Sequence, residues 1–476
     1  FAFEDGTPAR FFGVNLDGDV AFGTHEQAEA LAERLARLGC NLVRLHHLDA
    51  RHVQPNIFDP AYDDTQHLSA EQLDRLDYLL AQLKARGIYV YLDLLVSRHF
   101  KAGDGVPAYA QLPGGAKVAA LFHPRLIELQ RGYARALLDR ENPYTGVRWA
   151  DEPALALIAV INESSLARFP KRMAGLPEPY RQELRRQWID WQAARGVEES
   201  AAQAERALEP ADPEAQQFYA ELQLRYLLGM RAYLRSLGVR APIAGSNLGS
   251  PDPSGLDLAT QRRMDFLDGH AYWDPPRSGV GDLTKVHNRP FVVEPDAEHP
   301  LARLSRLSAE GQPFVVSEWN IDWPNEFRAA GPLLMAAYAR LQGWDGLLQF
   351  NFDGHVAPER IASNFDVSGK PELLWQLPIA ARLFHRGDVA PARERLVYPI
   401  SPGPQIPPAL GLVHAIQRSE DASAAPAADP GPSPWVSDTR ELVWDAQRAV
   451  ALIRAPSTQA ALGRLVTIET GKTLSE

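Results

Sequence analysis

Short apolar runs alternate along this chain with longer segments whose leucines and alanines recur at helical spacing. The runs are rich in β-branched and aromatic residues and almost uninterrupted, as strands buried on both faces must be. Eight of them stand at 11–16, 41–46, 89–95, 155–162, 242–246, 266–272, 314–318 and 346–352. The segments between them predict helices at 25–38, 69–85, 124–138, 213–237 and 332–341. In the first, Ala28, Leu31, Leu35 and Leu38 form one apolar face, and Thr24 is placed as its N-cap. The second opens on Ser69 and Gln72, a capping-box pair, before Leu73, Leu76, Leu79, Leu80 and Leu83. Gly39, Gly87 and Gly238 stand where a helix end calls for a left-handed residue. Strands alternating with helices predict an α/β fold with a parallel sheet. Eight such units predict a (β/α)8 TIM barrel with enlarged loops over residues 1–386.

The pattern changes after residue 386. Short strand-like runs at 396–400, 410–416, 441–444, 449–453 and 463–468 predict a small C-terminal antiparallel β domain over 387–476, sandwich-like and incomplete within this chain. The Ala-, Pro- and Ser-rich stretch 419–434 reads as a mobile loop inside it.

Composition narrows the function classes. Of 476 residues, 49 are Lys or Arg and 60 are Asp or Glu, a net charge of −11. That balance argues against a partner made of nucleic acid or anionic lipid, which needs a basic surface. Mean hydropathy is −0.27 and no apolar stretch is long enough to span a membrane. The single cysteine, Cys40, excludes an internal disulfide or a cysteine-cluster metal site, and its apolar surroundings mark it as a packed thiol. The chain begins Phe1-Ala2-Phe3 with no signal peptide, so compartment is not legible from it directly.

A barrel carries its reactive groups at the C-terminal ends of its strands. The fourth run ends Asn162-Glu163 and the seventh ends Ser317-Glu318. An acid directly after a buried run is costly unless paired or functional. Two such acids, from strands nearly opposite in order, face each other across a barrel mouth. Paired carboxylates are what glycoside cleavage requires: one protonated to assist the leaving oxygen, the other ionised to attack or to activate water.

Asn162-Glu163 and Ser317-Glu318 together resemble the acid/base and nucleophile of the retaining glycoside hydrolases of clan A, and most of all the cellulase-like family 5 enzymes. The resemblance covers roughly residues 1–386. Arg44 fits the arginine that holds the nucleophile there, His270 and Tyr272 fit the pair that flanks it, and Asn15 fits the opening of the first strand. The resemblance implies that Arg44 lowers the Glu318 carboxyl by charge proximity while Tyr272 donates to it. It implies that Glu163 sits in a less polar place with a raised pKa, and that Asn162 bonds the sugar 2-hydroxyl. The implied activity is double displacement on a β-linked poly- or oligosaccharide, with no metal or organic cofactor and a secreted or periplasmic location.

Two positions depart from the family pattern. Its strand-three histidine is replaced by Tyr91-Leu92-Asp93-Leu94-Leu95, leaving Asp93, His99 or His46 to serve. Its strand-eight tryptophan is replaced by Gln349-Phe350-Asn351, so the sugar platform is Phe350 or Trp319. His46 shares a face with Arg44 and is expected to line the pocket, whereas its neighbour His47 is expected to pack outside. For each of Trp149, Trp273, Trp319, Trp323 and Trp344 near strand ends, core packing and sugar stacking are equally open. The insert 165–213, with Trp188 and Trp191, reads as a helical lid beside Glu163. Two alternatives stay open: a non-catalytic carbohydrate-binding barrel, and a metal-dependent barrel hydrolase with a site such as His46, Asp49 and His270. No single sugar is selected, since glucan, mannan, xylan and galactoside chemistry share the constellation.

Overall fold

The computed structural model describes residues 1–454 apart from positions 4, 170, 210, 250–253, 277–285, 354–362, 402–404 and 424–429. The expected strand at 463–468 lies outside the described residues, as does part of the expected loop at 419–434.

The apolar runs form β1 (Phe11–Leu16), β2 (Leu42–Leu45), β3 (Tyr89–Asp93), β4 (Leu155–Ala159), a divided β5 (Ile243–Ala244 and Asn247–Leu248), β6 (Leu267–Trp273), β7 (Phe314–Ile321) and β8 (Gly346–Gln349). Each pairs in parallel with its neighbours, and β1 pairs with both β2 and β8. The first piece of β5 pairs with β4 and the second with β6, so the divided strand closes the ring. Each strand is followed by a helix: His25–Arg37, Ala70–Ala85, Pro124–Leu138, Pro213–Ser236, Leu256–Gln261, Pro300–Ser305, Gly331–Gln342 and Leu377–Arg386. Thr24 and Gln27 form a reciprocal capping box, and Ser69 accepts from the Gln72 amide. This closed, helix-wrapped ring is the (β/α)8 barrel.

Alternation along the strands sorts the side chains into layers. Phe11, Leu42, Tyr91, Leu157, Ala159, Ala244, Phe266, Val315 and Leu348 pack together as an apolar floor inside the barrel. Residues two positions further along the same strands point inward above it and are polar: Arg44 after Leu42, Asp93 after Tyr91, Asp268 after Phe266, Ser317 after Val315. Gly13 is needed where β1 meets β2, because a Cβ there would lie 1.7 Å from the Leu42 carbonyl oxygen.

β7 breaks the alternation. Its register against both β6 and β8 shifts between Val316 and Trp319. The bulge turns two successive residues, Ser317 and Glu318, into the barrel and sends Val316 and Trp319 outward into the helix layer.

The C-terminal segment begins with a parallel pair, β9 (Arg395–Pro399) and β10 (Ala415–Ser419), bridged by a 3-10 turn at Pro408–Leu412. An antiparallel sheet follows: β11 (Trp435–Val436), β12 (Leu442–Asp445) and β13 (Val450–Ile453). Trp444 and Leu442 share one apolar cluster with Phe291, Tyr338 and Leu341 of the barrel side. Gln342 Nε2 donates to the Gly411 carbonyl at 2.6 Å and Trp444 Nε1 to the Val293 carbonyl at 2.8 Å.

Candidate active site

The polar layer converges on Glu318. Arg44, with no exposed side-chain surface, donates through Nη1 to Glu318 Oε1. The same guanidinium reaches Asn15 Oδ1 at 3.0 Å, Asn162 Oδ1 at 2.9 Å and Asp93 Oδ2 at 2.7 Å. Burial alone pulls this cation down, but the charges of Asp93 and Glu318 more than offset it and hold it above its ordinary value. Tyr272 donates its hydroxyl to Glu318 Oε2 at 2.5 Å. Burial and the Glu318 charge raise that phenol well above the usual tyrosine range, so it stays a donor. His46 Nδ1 bonds Asp93 Oδ2, and its Nε2 lies 3.6 Å from Glu318 Oε1. Burial, with His47, Arg44 and His270 adding to it, drives His46 well down and keeps its ring neutral. Of the residues open to serve at the end of β3, Asp93 takes the central position, holding both Arg44 and His46.

Glu163 is built differently. It follows β4 in a left-handed conformation with φ 43°, and its amide donates to Asn247 Oδ1 at 3.1 Å. Its side chain is 48% exposed, against 5% for Glu318. His270 joins the two acids: Nδ1 lies 3.0 Å from Glu163 Oε1 and 3.4 Å from Glu318 Oε2, and Nε2 lies 2.9 Å from Ser317 Oγ. Burial lowers this imidazole, but Glu318 and Glu163 outweigh it and the net shift is upward. One oxygen each of Glu163 and Glu318 and one nitrogen of His270 all lie within 4.8 Å of one another.

The expected rise in the Glu163 pKa is not found. Burial pushes the carboxyl up, but the His270 hydrogen bond and the charges of His270, Lys117 and Arg44 overcome it and bring it down to about 2. The expectation of a less polar place fails because His270, from β6, bonds the carboxyl, and Lys117, from the loop after β3 and in no motif, adds its charge.

Two further expectations are corrected. Trp319 is not at the site: it is 2% exposed and packs outward against Gly331, because the bulge restores alternation one residue after Glu318. His47 does not pack outside. β2 ends at Leu45, and φ 55° at His47 swings its ring to 4.0 Å from that of His46, where it bonds Asp17 Oδ1 at 2.8 Å. Phe350 is at the mouth, its ring 5.6 Å from His46 and 6.1 Å from Tyr272. Trp149, Trp273 and Trp344 are buried in the core, and Trp323 is half-buried. His46 and His270 do not form a metal site with Asp49, whose carboxylate instead accepts the Val96 and Ser97 amides at 2.9 and 3.0 Å.

The insert after Glu163 is helical. Its helix Glu178–Ala194 buries Trp188 and Trp191 against Phe218, and Tyr180 donates to the Pro107 carbonyl at 2.6 Å, clasping the loop after β3. That loop supplies Lys117, whose Nζ donates to the Asn162 carbonyl at 2.7 Å. Asp268, beneath the site, accepts from Tyr91, Asn247 and the Ser317 amide and ties three strands together. Lys117, Asn247 and Asp268 lie in no recognisable motif. Only the position of Asp268, two before His270 on an inward face, was a usable signal.

No family model matches the chain, and no curated protein sequence matches it. Solved structures do. An endo-β-1,4-mannanase from Thermotoga petrophila is similar over 80% of this chain and 78% of its own, at 16% identity and a TM-score of 0.54. An endo-1,4-β-mannanase from Rhizomucor miehei is similar over 81% and 97%, at 12% identity and a TM-score of 0.52. A GH5_18 structure from Streptomyces cattleya with bound GlcNAc is similar over 83% and 86%, at 17% identity and a TM-score of 0.52. The shared feature is the barrel fold. No helix among the described residues is long and apolar enough to cross a membrane.

Proposed function

We propose that the protein is a retaining β-glycoside hydrolase in which Glu318 is the nucleophile and Glu163 the general acid and base. The observation that carries this reading is the spacing of the two carboxylates, whose nearest oxygens approach within 4.8 Å. Retaining pairs sit about 5–5.5 Å apart, and inverting pairs leave roughly 6.5–9.5 Å for a water. Two donors, Arg44 and Tyr272, hold the two oxygens of Glu318, and His270 Nδ1 lies 3.4 Å from one of them, which orients this carboxylate as the group that attacks the anomeric carbon. Glu163, reachable from solvent, stands on the other side of the bond. In the free protein its proton is held by its partner across the 3.0 Å contact to His270 Nδ1. Transfer along that bond gives the acid of the first step; donation of that proton to the leaving oxygen leaves the carboxylate, which takes a proton from water in the second. Asn162, held by Arg44 and next in the chain to Glu163, suits the sugar 2-hydroxyl.

The fold neighbours include two enzymes named as mannanases, so β-mannosides head the substrate panel, followed by glucan, xylan and galactoside. Proton NMR of the first-formed product should show the β-anomer. An α-anomer first would remove the retaining reading, and no cleavage of any glycoside would remove the glycosidase reading. A second reading has one observation in its favour: Glu163, His270 and Glu318 are close enough to share a metal ion. The Arg44 guanidinium already occupies Glu318 Oε1 and opposes a second cation there. Turnover lost on exhaustive chelation and restored by a divalent metal would favour this second reading.

A further inference from the structure

The loops after β2 and β3 enclose a cavity of about 670 Å³ that the proposed mechanism does not use. Ligand pockets commonly measure roughly 300–1,000 Å³ and are largely pre-formed. This one is built to hold its shape. Ala50 and Arg98 pair as an antiparallel bridge between the two loops. Arg98, 1% exposed, donates to the Thr65 hydroxyl at 2.8 Å and to the Thr65 carbonyl at 2.7 Å. Asp104, fully buried, accepts from the Thr65 amide and hydroxyl, each at 2.9 Å. Asp49, from the first loop, accepts the Val96 and Ser97 amides of the second. Burying ionised side chains is costly, and apolar packing stabilises as well. What this network adds is one fixed arrangement of two surface loops.

The lining selects a ligand class, because its charges are spent or balanced. Asp49 is held by its two amides, Glu71 pairs with Arg75, and Lys101 Nζ donates to the Tyr62 carbonyl at 2.8 Å. Arg51 and Asp63, both exposed, contribute one charge of each sign. What remains is neutral. Gln54 spends its amide nitrogen on the Arg51 carbonyl at 2.9 Å, leaving Oε1 without a partner among the described residues. His99 Nδ1 donates to the Ser97 carbonyl at 2.9 Å, which leaves Nε2 an acceptor in the uncharged ring. Phe58 and Phe100 supply the apolar part, each with a face on the Arg98 guanidinium, at 5.2 and 5.0 Å. Tyr109 stands among them 37% exposed.

The place of Tyr109 is set from outside the cavity. Ala108, just before it, has φ 48°, and Ala116 and Val118 of the same loop have φ 48° and 50°. Left-handed residues other than glycine persist only where the surroundings over-determine them, and they gather at ligand clamps. Here Tyr180 of the inserted helix donates to the Pro107 carbonyl at 2.6 Å, one residue from the strained Ala108.

We propose that this cavity is a second saccharide site, in which a neutral sugar lays a C–H face on Tyr109 and gives hydroxyl protons to Gln54 and His99. The inference rests on the glycosidase reading for the choice of β-linked sugars as ligands. Walls with free acceptors and balanced charge suit hydroxyl groups. A carboxylate or phosphate would meet those acceptors with no donor to satisfy it. The sugar belongs either to the far end of the chain being cleaved or to a second chain, and the two sources differ in stoichiometry.

The test measures binding of β-1,4-linked mannotetraose, cellotetraose and xylotetraose by calorimetry in Glu318→Gln, where the ligand is not consumed. Tetragalacturonate is the charged comparator. At least one neutral tetraose should bind. Tyr109→Ala in the same background should weaken binding at this site about tenfold, and Tyr109→Phe should keep most of it. If the sugar is the far end of the cleaved chain, one tetraose binds per protein. Tyr109→Ala with Glu318 intact then lowers the ratio of kcat/KM for the tetraose to kcat/KM for an aryl monoglycoside by a similar factor. If the sugar is a second chain, two tetraoses bind per protein and Tyr109→Ala weakens one of them. Either result supports the site. Failure of all three tetraoses to bind, affinity untouched by Tyr109→Ala, or tighter binding of tetragalacturonate overturns the proposal. Tyr109-dependent binding without hydrolysis of any glycoside would instead count against the glycosidase reading.

Discussion

Glu318 and Glu163 are the same side chain in opposite settings, and the contrast is what the two proposed roles require of one barrel. Glu318 is nearly inaccessible and sits on a strand bulge, gripped by Arg44 from β2 and Tyr272 from β6. Glu163 is half exposed, beyond the end of its strand, in a backbone conformation held by Asn247 and the loop after β3. The first setting is rigid and over-bonded, as suits a group that must attack along one line. The second leaves an edge open to the leaving group and to water and gives the carboxyl one partner, His270, with which to exchange a proton.

The contrast is broken most severely at the proposed nucleophile. Glu318→Ala should lower kcat/KM by roughly 10⁴-fold or more for every substrate, however good its leaving group. Added azide should then yield an α-glycosyl azide. Activity near that of the native protein would show that the buried carboxylate is structural. Glu163→Ala should cost about 10²- to 10⁴-fold on unactivated substrates. With an activated aryl leaving group, however, the glycosyl-enzyme should still form, and azide should restore turnover as the β-glycosyl azide. Swapped anomers would reverse the two assignments.

Asp93→Asn tests whether the grip on Glu318 depends on the residue behind it. Asp93 orients both Arg44 and His46, so its loss should misplace the nucleophile and lower kcat on the order of 10²-fold with little change in KM. A rise in KM alone would make Asp93 a substrate contact. The smallest effect concerns stability. The Glu163 carboxyl, at about 2 in the folded protein, lies below its ordinary value of 4.5. It therefore contributes stability that is present above about pH 4.5 and is lost as pH falls toward 2. Glu163→Gln removes that contribution, so the Tm gap between the native and variant proteins should narrow as pH falls from 5 to 3. Exposure to solvent keeps the gap small. A gap that widens in acid would reverse the sign of the shift.

The sequence carries the barrel plainly. Each predicted strand lies within a few residues of an observed one, because buried parallel strands need unbroken apolar runs and the helices between them need a 3.6-residue stripe. Asn162, Glu163, Arg44, His46, His270, Tyr272, Glu318 and Phe350 lie together at the mouth for the same reason: strand ends and inward parity are one-dimensional properties. Reading failed wherever parity failed. Trp319 follows Glu318 in the chain, but a bulge that depends on the registers of two neighbouring strands sends it to the core. His47 follows His46, yet a left-handed turn beyond the strand returns it to the mouth.

What the chain determined by itself, then, is which residues are buried, which segments are strand or helix, and that two acids end opposite strands. What only the tertiary structure decided is the charged surroundings of those acids. Lys117 is 46 positions from Glu163 and His270 is 107 positions away, and no local pattern joins them. Their approach depends on a strained loop clasped by an inserted helix and on a sixth strand aligned with the seventh. Coulomb and hydrogen-bond energies change steeply over a few ångströms, a distance that sequence spacing does not encode.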